Sequence, residues 1–262
     1  MISVFALCCA ASGQAKSSAN EIVEEMAKKF RSADTYRVSG VMRSVRNLNP
    51  YRKLTWEQAL TRTKLVTNQT LSFSYYFERP SKLRFDWSSP DHHVDRNLSI
   101  WTNGTRGFSW LPSSGEADGH FVLMNQSDIK MLLQEADFNQ SSSMASIFYA
   151  QLTGDKRAFT FDEMTEAKIV REDVVDGRNC FVILGNISND PWALWIDKST
   201  FVLRKLRLLI SLTSFDETVA TGKQSLTIGE VSLTAPQLNS QIPSSVFTYK
   251  PRLRKKDIDI SK

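Results

Sequence analysis

Residues 75–87 constrain the fold more than any other part of this sequence; they read Tyr-Tyr-Phe-Glu-Arg-Pro-Ser-Lys-Leu-Arg-Phe-Asp-Trp. Large apolar residues alternate with polar ones on both sides of the proline, which is typical of half-buried β-strands. Pro80 cannot donate to a β-ladder, so the strand has to break or bend there, and Arg79 lies at the bend. The stretch therefore predicts two short strands within a curved antiparallel sheet.

The same alternation recurs along most of the chain. It predicts strands over residues 35–45, 71–87, 97–102, 106–111, 166–175, 180–187, 192–196, 201–212, 224–233 and 246–250. Asn103-Gly104 lies between two of them and is a strong hairpin signal. Residues 47–70 fit either a strand or a helix, and we favour a strand there.

Three segments have helical patterns instead. Residues 20–32 carry an apolar stripe at helical spacing, with Asn20 as the expected cap. Two short apolar helices are predicted mid-chain, over 127–137 and 142–152, where they can cover the open mouth of the sheet. The predicted fold is mainly β with some α: a single curved antiparallel sheet that forms an unclosed β-barrel, with an N-terminal helix and a helical lid.

Most of the positive charge lies at the C-terminus. The formal net charge is +5, and residues 250–262 contain six basic and two acidic side chains, which leaves about +1 for the rest. A domain that binds nucleic acid carries its basic residues on the folded surface. We therefore predict no nucleic-acid partner.

The N-terminus resembles an export signal. Residues 2–11 are apolar but too few to span a bilayer, and Gly13 and Ala15 fit a signal-peptidase cut before Lys16. We expect a signal peptide over 1–15, the sheet domain over 16–251, a basic flexible tail over 252–262, and a periplasmic location. A plain flexible terminus, or a lipid anchor on Cys8 or Cys9, is the alternative.

The sequence gives little support to enzyme chemistry. Residues 91–95 (Asp-His-His-Val-Asp) are the one cluster with metal-ligating residue types, but adjacent histidines on a strand point to opposite faces. His120 lies in a separate Gly-rich loop, and Cys180 reads as a small core residue of a strand. Motifs for a nucleophile elbow, a phosphate loop or a Cys-x-x-Cys centre are missing. We predict no catalytic residues, no metal and no cofactor.

Four segments together carry a family resemblance. They are residues 77–87 (Phe-Glu-Arg-Pro-Ser-Lys-Leu-Arg-Phe-Asp-Trp), 98–110 (Leu-Ser-Ile-Trp-Thr-Asn-Gly-Thr-Arg-Gly-Phe-Ser-Trp), 194–206 (Leu-Trp-Ile-Asp-Lys-Ser-Thr-Phe-Val-Leu-Arg-Lys-Leu) and 243–251 (Pro-Ser-Ser-Val-Phe-Thr-Tyr-Lys-Pro). In this order and spacing they resemble the periplasmic LolA-like carriers of outer-membrane lipoproteins. The segment 48–70 and the basic tail depart from the compact pattern of that family.

The resemblance implies an apolar cavity that holds acyl chains under a helical lid. The arginine that precedes proline in the family matches Arg79, and in the family it reaches the lid helices. Ligand-binding residues are expected mainly among alternating aromatics, with additions from the second lid helix: Phe73, Tyr75, Phe77, Arg79, Phe85, Trp87, Trp101, Phe108, Trp110, Ile147 and Phe148. Leu194, Ile196 and Leu206 are further wall candidates. The alternative is that many of these side chains simply pack the core.

Two functions of different classes follow from the resemblance. The first is a periplasmic carrier, or chaperone, that shuttles lipoproteins or lipids through the envelope between membrane-bound donor and acceptor proteins. The second is an envelope sensor that binds a lipid-like signal on the same fold and regulates a partner. A lipid hydrolase is a distant third. We expect a monomer whose partners include acyl chains.

Overall fold

The computed structural model describes residues 17–45, 55–61, 69–88, 98–112, 121–126, 129–139, 144–155, 159–212, 225–253 and 255–260. The helices are α1 (Ala19–Ser32), α2 (Trp56–Thr61), α3 (Ile129–Asn139) and α4 (Met144–Thr153). The strands are β1 (Thr35–Val45), β2 (Gln69–Glu78), β3 (Lys82–Ser88), β4 (Leu98–Asn103), β5 (Gly107–Pro112), β6 (Phe121–Gln126), β7 (Thr165–Val175), β8 (Arg178–Ile187), β9 (Asp190–Asp197), β10 (Leu203–Leu212), β11 (Ser225–Leu238) and β12 (Ile258–Ile260).

All twelve strands belong to one sheet, in the order β12-β6-β5-β4-β3-β2-β1-β11-β10-β9-β8-β7. Neighbouring strands are antiparallel except β12, which pairs with β6 in parallel. The two edges, β7 and β12, do not pair with each other in the described part of the chain, so the sheet is not closed. The predicted fold class, one unclosed and mainly antiparallel sheet with an N-terminal helix and two mid-chain helices, is confirmed.

Strand register divides the sheet into two faces. In one row Val38, Tyr75, Phe85 and Ile100 are successive cross-strand partners, and cross-strand partners point to the same side of a sheet. We call this side the inner face; α1 and α4 pack over it, and α3 packs over β4 to β6. The residues of β1 that the alternating pattern assigned to one side of the strand lie on this inner face: Tyr36, Val38, Gly40 and Met42.

The outer face is covered at two places by other segments. Ala59 and Leu60 of α2 pack with Cys180, Val182, Ala193 and Trp195, which lie on the outer side of β8 and β9. At β3 and β4, the segment 243–251 lies against the sheet, and Arg84 Nη1 donates a hydrogen bond of 3.2 Å to the carbonyl of Val246. Both faces of the sheet therefore contribute to the core, and Cys180 is a buried free thiol within it, as expected from the sequence.

The cap of α1 lies two residues before the predicted one, and the helix starts one residue earlier than predicted. Asn20 is not the cap; the helix begins at Ala19 and Ser18 caps it. The Ser18 hydroxyl accepts from the Glu21 amide at 3.3 Å, and the Glu21 carboxylate accepts from the Ser18 amide at 2.7 Å. This reciprocal arrangement satisfies two amides at once, which a cap at Asn20 would not do. The predicted apolar stripe is buried: Ile22, Val23, Met26, Ala27 and Phe30.

The strand favoured for residues 47–70 is wrong at residues 56–61, which form α2. The Thr55 hydroxyl accepts from the Gln58 amide at 3.2 Å and the Gln58 side chain accepts from the Thr55 amide at 3.1 Å, so a capping box starts this helix too. Residues 46–54 and 62–68 lie outside the described residues. The strand predicted over 246–250 is also wrong, since Ser244–Val246 is a 3-10 helix and no strand follows directly.

Several other predictions concern segments that the structure does not describe. These are the signal peptide and the acylation site, in residues 1–16, and the histidine-containing cluster 91–95 with His120. Strands β6 and β12 were not predicted. Residues 258–260, which form β12, belong to the stretch for which the sequence suggested a flexible tail.

Gly40 sets how closely an aromatic ring can approach the backbone of β1. A Cβ atom at this position would lie 2.5 Å from Cζ of Phe73 and 2.5 Å from the carbonyl oxygen of Ser232. We expect Gly40→Ala to lower the free energy of unfolding by about 1–3 kcal/mol, because the ring and a neighbouring strand both have to shift. Urea denaturation measures this, with Ser39→Ala at the exposed adjacent position as the control. Equal unfolding midpoints in the two variants would contradict it.

Candidate functional site

An aromatic cluster lies between the inner face and α4. The Phe148 ring of α4 lies 5.8 Å from the ring of Tyr36, 6.3 Å from that of Phe73 and 5.3 Å from that of Tyr75, measured between centroids. All four side chains are buried. A single side chain of the lid helix thus contacts three aromatic residues of two adjacent strands, and we call these four residues the aromatic cluster.

The cluster continues along β3. Phe85 lies 6.2 Å from Tyr75, and Trp87 stacks on Phe85 with centroids 5.2 Å apart. Of the predicted site residues, the structure brings seven together on the side that α4 covers: Phe73, Tyr75, Phe77, Phe85, Trp87, Ile147 and Phe148. Leu194, Ile196 and Leu206 belong to the same buried core, on the inner side of β9 and β10.

Three predicted site residues lie on the outer face instead. Trp101 is the register partner of Arg84 and of Phe108, and Trp110 lies two residues beyond Phe108 on the same side of β5. Trp101 stacks on Phe108 at 5.3 Å and meets the ring of Tyr249 edge-on. Trp101 and its stacking partner Phe108 therefore pack beneath the segment 243–251, and the sheet separates all three aromatics from the aromatic cluster.

Arg84 connects the segment 243–251 to the outer face of the sheet. Its guanidinium carbon lies 3.9 Å from the centroid of the Tyr249 ring, and its Nε lies 2.8 Å from a carboxylate oxygen of Asp86. Asp86 also accepts a hydrogen bond from Ser99. Burial raises the pKa of Asp86 despite the lowering effect of Arg84. This arrangement has a structural role, because it fixes the cover of the outer face.

Arg79 connects the bend between β2 and β3 with two helices. Its Nε donates to the carbonyl of Ala33 at 2.8 Å, and its Nη2 donates to the carbonyl of Arg31 and, at 2.5 Å, to that of Leu152. The peptide bond between Arg79 and Pro80 is cis. The sequence predicted that Arg79 reaches carbonyls of the lid helices, and the contact with α4 is present. The contact with the end of α1 was not predicted.

The position of this guanidinium is electrostatically favourable. The last carbonyls of a helix have no intrahelical partner and carry a partial negative charge. The Arg79 head group meets such carbonyls at the ends of both α1 and α4. Since an arginine stays charged at any relevant pH and offers five donors, one side chain can hold two helix ends at once.

A cavity of about 280 Å³ opens beside α3 and α4. Its lining comes from the end of the sheet and from both helices: Ser81, Thr102, Gly104, Thr105, Arg106, Gly107, Ile129, Leu132 and Tyr149. Tyr149 follows Phe148 in α4 and meets Phe77 edge-on at 6.3 Å. One lining residue thus contacts Phe77, and the cavity lies at the end of the strands where Arg79 is also located.

Tyr36 belongs to the aromatic cluster but was not among the predicted ligand-binding residues, and neither was Tyr149, which lines the cavity. Tyr36 was placed on the correct side of β1 but not included among the ligand-binding residues, although it touches Phe30, Tyr75 and Phe148. Its position two residues from Val38 on an alternating strand was the available signal. Burial raises the pKa values of Tyr36 and Tyr75 far above the usual range, so both hydroxyls stay protonated.

The described ranges contain neither a metal-ligating group nor a membrane-spanning helix. There, His, Cys, Asp and Glu side chains form no group of three or more that could hold a metal ion. Over the same residues, none of the helices has the length and apolarity needed to cross a bilayer.

Comparison with known families identifies the chain. The family described as "Predicted periplasmic protein (DUF2092)" matches residues 19–261, which is nearly the whole sequence. The chain belongs to this DUF2092 family. Its periplasmic location, predicted from the N-terminal sequence, is confirmed by the description of the family. No curated protein sequence matches the chain.

Solved structures similar to this DUF2092 protein include lipoproteins and LolA superfamily members. Lipoprotein LppX of Mycobacterium tuberculosis has a TM-score of 0.44 at 11% identity, over 86% of this chain and 97% of that one. A LolA superfamily protein from Nitrosomonas europaea has a TM-score of 0.33 at 10% identity, over 89% and 99% of the two chains. A domain from Vibrio parahaemolyticus, described as a putative outer membrane lipoprotein-sorting protein domain, has a TM-score of 0.33 at 10% identity, over 87% and 95%.

Proposed function

We propose that this periplasmic protein binds the acyl chains of lipids or lipoproteins between the inner face of its sheet and helices α3 and α4, and carries them through the envelope. The observation that supports the proposal is the contact of Phe148 with Tyr36, Phe73 and Tyr75. In this arrangement the Phe148 side chain of α4 covers the aromatic surface of the sheet. A bound acyl chain would take the place of this side chain.

The chemistry of the inner face suits an acyl chain. From β1 to β4 its described side chains are apolar or uncharged: Tyr36, Val38, Met42, Ser44, Leu71, Phe73, Tyr75, Phe77, Leu83, Phe85, Trp87, Leu98, Ile100 and Thr102. Burying apolar surface stabilises a complex by about 25 cal/mol per Å² without specific polar contacts. Rigid aromatic walls add little ordering cost, since each ring has only two side-chain torsions.

The positions of Arg79 and of the cavity of about 280 Å³ suggest where an acyl ligand enters the protein. Arg79 holds the last turn of α4, and the cavity lies where α4 and α3 meet the ends of the strands. Release of the contact between Arg79 and Leu152 would let α4 move away from the sheet and enlarge this cavity towards Phe148. A carrier needs such an exchange, because a ligand has to enter and leave without unfolding the sheet.

The proposal predicts saturable binding of long acyl chains. Protein purified from the periplasm and stripped of lipid is titrated with a fluorescent fatty-acid probe, and unlabelled acids of increasing length compete. We expect one probe per chain, with competition that strengthens several-fold for each added methylene, since each buried CH₂ contributes about 0.8 kcal/mol. Absence of saturable binding by protein with an intact circular dichroism spectrum would overturn the lipid-binding proposal.

Carriage is tested separately from binding. Donor vesicles that contain a fluorescent phospholipid and a quencher are mixed with acceptor vesicles and the protein. We expect transfer rates to rise in proportion to protein concentration. Tight binding without accelerated transfer would favour the sensor over the carrier.

A further inference from the structure

Six buried hydrogen-bond donors on the inner face have no partner among the described protein groups, and three of these six belong to aromatic rings of β1 to β3. These three are the hydroxyls of Tyr36 and Tyr75 and the indole Nε1 of Trp87. The three residues are 0%, 0% and 1% exposed. The other three, Ser44 Oγ, Ser109 Oγ and Trp192 Nε1, lie elsewhere on the same face.

The three donor-bearing residues form a continuous series beneath the lid helix. The rings of Tyr36 and Tyr75 are 6.1 Å apart, Tyr75 contacts Phe85 at 6.2 Å, and Phe85 stacks on Trp87. Phe148 of α4 lies directly over both tyrosines. The donors therefore occupy the surface that the proposed acyl ligand would contact.

Such donors are unfavourable in a site made for hydrocarbon alone. A buried donor without an acceptor destabilises the folded state, and phenylalanine would fill the positions of both tyrosines without that penalty. An indole N–H can only donate, so its complement has to be an acceptor. What this surface lacks is therefore acceptor oxygens rather than further apolar contacts.

We propose that the ligand is an acyl ester or amide, whose carbonyl oxygens accept hydrogen bonds from Tyr36 and Tyr75 while its chains replace Phe148. This inference rests on the proposed function and adds the linkage chemistry of the ligand. Phospholipids and the acyl groups of lipoproteins share this linkage, so both are sources that the same site could recognise.

The test compares ligands that differ only in the linkage. A diacyl phosphatidylglycerol and its dialkyl ether analogue, of equal chain length, compete with the fluorescent probe. We expect the wild-type protein to prefer the ester about tenfold, which corresponds to one net hydrogen bond of about 1.4 kcal/mol. A diacylated lipopeptide, with and without its ester linkages, repeats the comparison for the lipoprotein source, and an ester preference with either source supports the inference.

The double variant Tyr36→Phe/Tyr75→Phe removes both hydroxyls and keeps both rings. We expect its ester preference to fall to about twofold or less, with ether binding unchanged. Without lipid, its Tm should stay the same or rise by about 2–4 °C, because removing a buried unpaired hydroxyl does not destabilise the fold. Tyr76→Phe, on the opposite face of β2, is the matched control and should keep the full preference.

The outcomes separate this inference from the proposed function. If the ester and ether ligands bind equally well to the wild-type protein, the linkage inference is wrong and acyl-chain binding stands. A drop in Tm of the double variant without lipid would also overturn it, since the hydroxyls would then be satisfied by buried water. If the fatty-acid probe itself does not bind saturably, acyl-chain binding fails.

Discussion

Replacing Arg79 with leucine is expected to release α4 from the sheet while the twelve-stranded sheet stays folded. The variant loses the hydrogen bonds to the carbonyls of Arg31, Ala33 and Leu152, and with them the charge at two helix ends. A hydrogen bond from a charged group contributes about 1.5–3 kcal/mol net. Local opening of α4 should therefore become at least tenfold more frequent, because 1.4 kcal/mol corresponds to a factor of ten.

Amide hydrogen exchange over residues 144–153, measured without ligand, checks this expectation. We expect faster exchange in α4 and in the last turn of α1, together with faster uptake of the fluorescent probe. Arg79→Lys should be intermediate, because an ammonium lacks the planar fork that reaches several carbonyls. Arg37→Leu is the control, since Arg37 donates a side-chain hydrogen bond to Gln237, away from the helices. Equal protection of α4 in wild type and Arg79→Leu would mean that Arg79 does not hold the lid.

The second large effect is expected from Phe148→Ala. This substitution removes the ring that contacts Tyr36, Phe73 and Tyr75, and truncating a buried phenylalanine lowers the free energy of unfolding by about 3–5 kcal/mol. The same change empties the surface on which we propose that lipid binds. We therefore expect a large loss of thermal stability without lipid, combined with tighter apparent binding of the acyl probe, because less closed protein competes with the ligand.

Phe161→Ala is the matched control for this prediction. Phe161 is equally buried but packs against Trp192, away from the aromatic cluster. It should lose comparable stability without any gain in probe affinity. If both variants weaken probe binding to the same extent, Phe148 is an ordinary core residue and its position over the tyrosines has no role in binding.

The alternation of apolar and polar residues along β2 and β3 was enough to predict which side chains lie at the centre of the candidate site. The parity of β2 and β3 places Phe73, Tyr75, Phe85 and Trp87 on one side of the sheet, because side chains of a strand alternate strictly. The proline after Arg79 predicted the bend from which its side chain reaches α4. The two lid helices were also found, each with a start displaced by two residues.

The face of Trp101, Phe108 and Trp110 was not predictable in the same way. Within β4 and β5 the alternation is visible, but which side chains lie on the inner face depends on the register between β3 and β4. A shift of that register by one residue exchanges the two faces of a strand. Register is set by pairing and by the connection at 89–97, and neither can be derived from residue types along one strand.

The helix α2 was missed for a different reason. Thr55 and Gln58 form a capping box, and that four-residue signal was present in the sequence. The alternating apolar residues around this signal favoured a strand instead. Its short length makes propensity a weak guide, and burial of Leu60 on the outer face of the sheet stabilises it.

The parallel pairing of β12 with β6 has a consequence for how the molecule meets its surroundings. An unpaired edge strand of an open sheet can pair with a foreign peptide by strand addition. Here three residues near the end of the sequence take that place, with Ile258 opposite Val122 and Ile260 opposite Met124. The chain thus acts as its own donor strand, so that β6, which directly precedes the lid helices, directs its backbone groups to a neighbour within the same molecule.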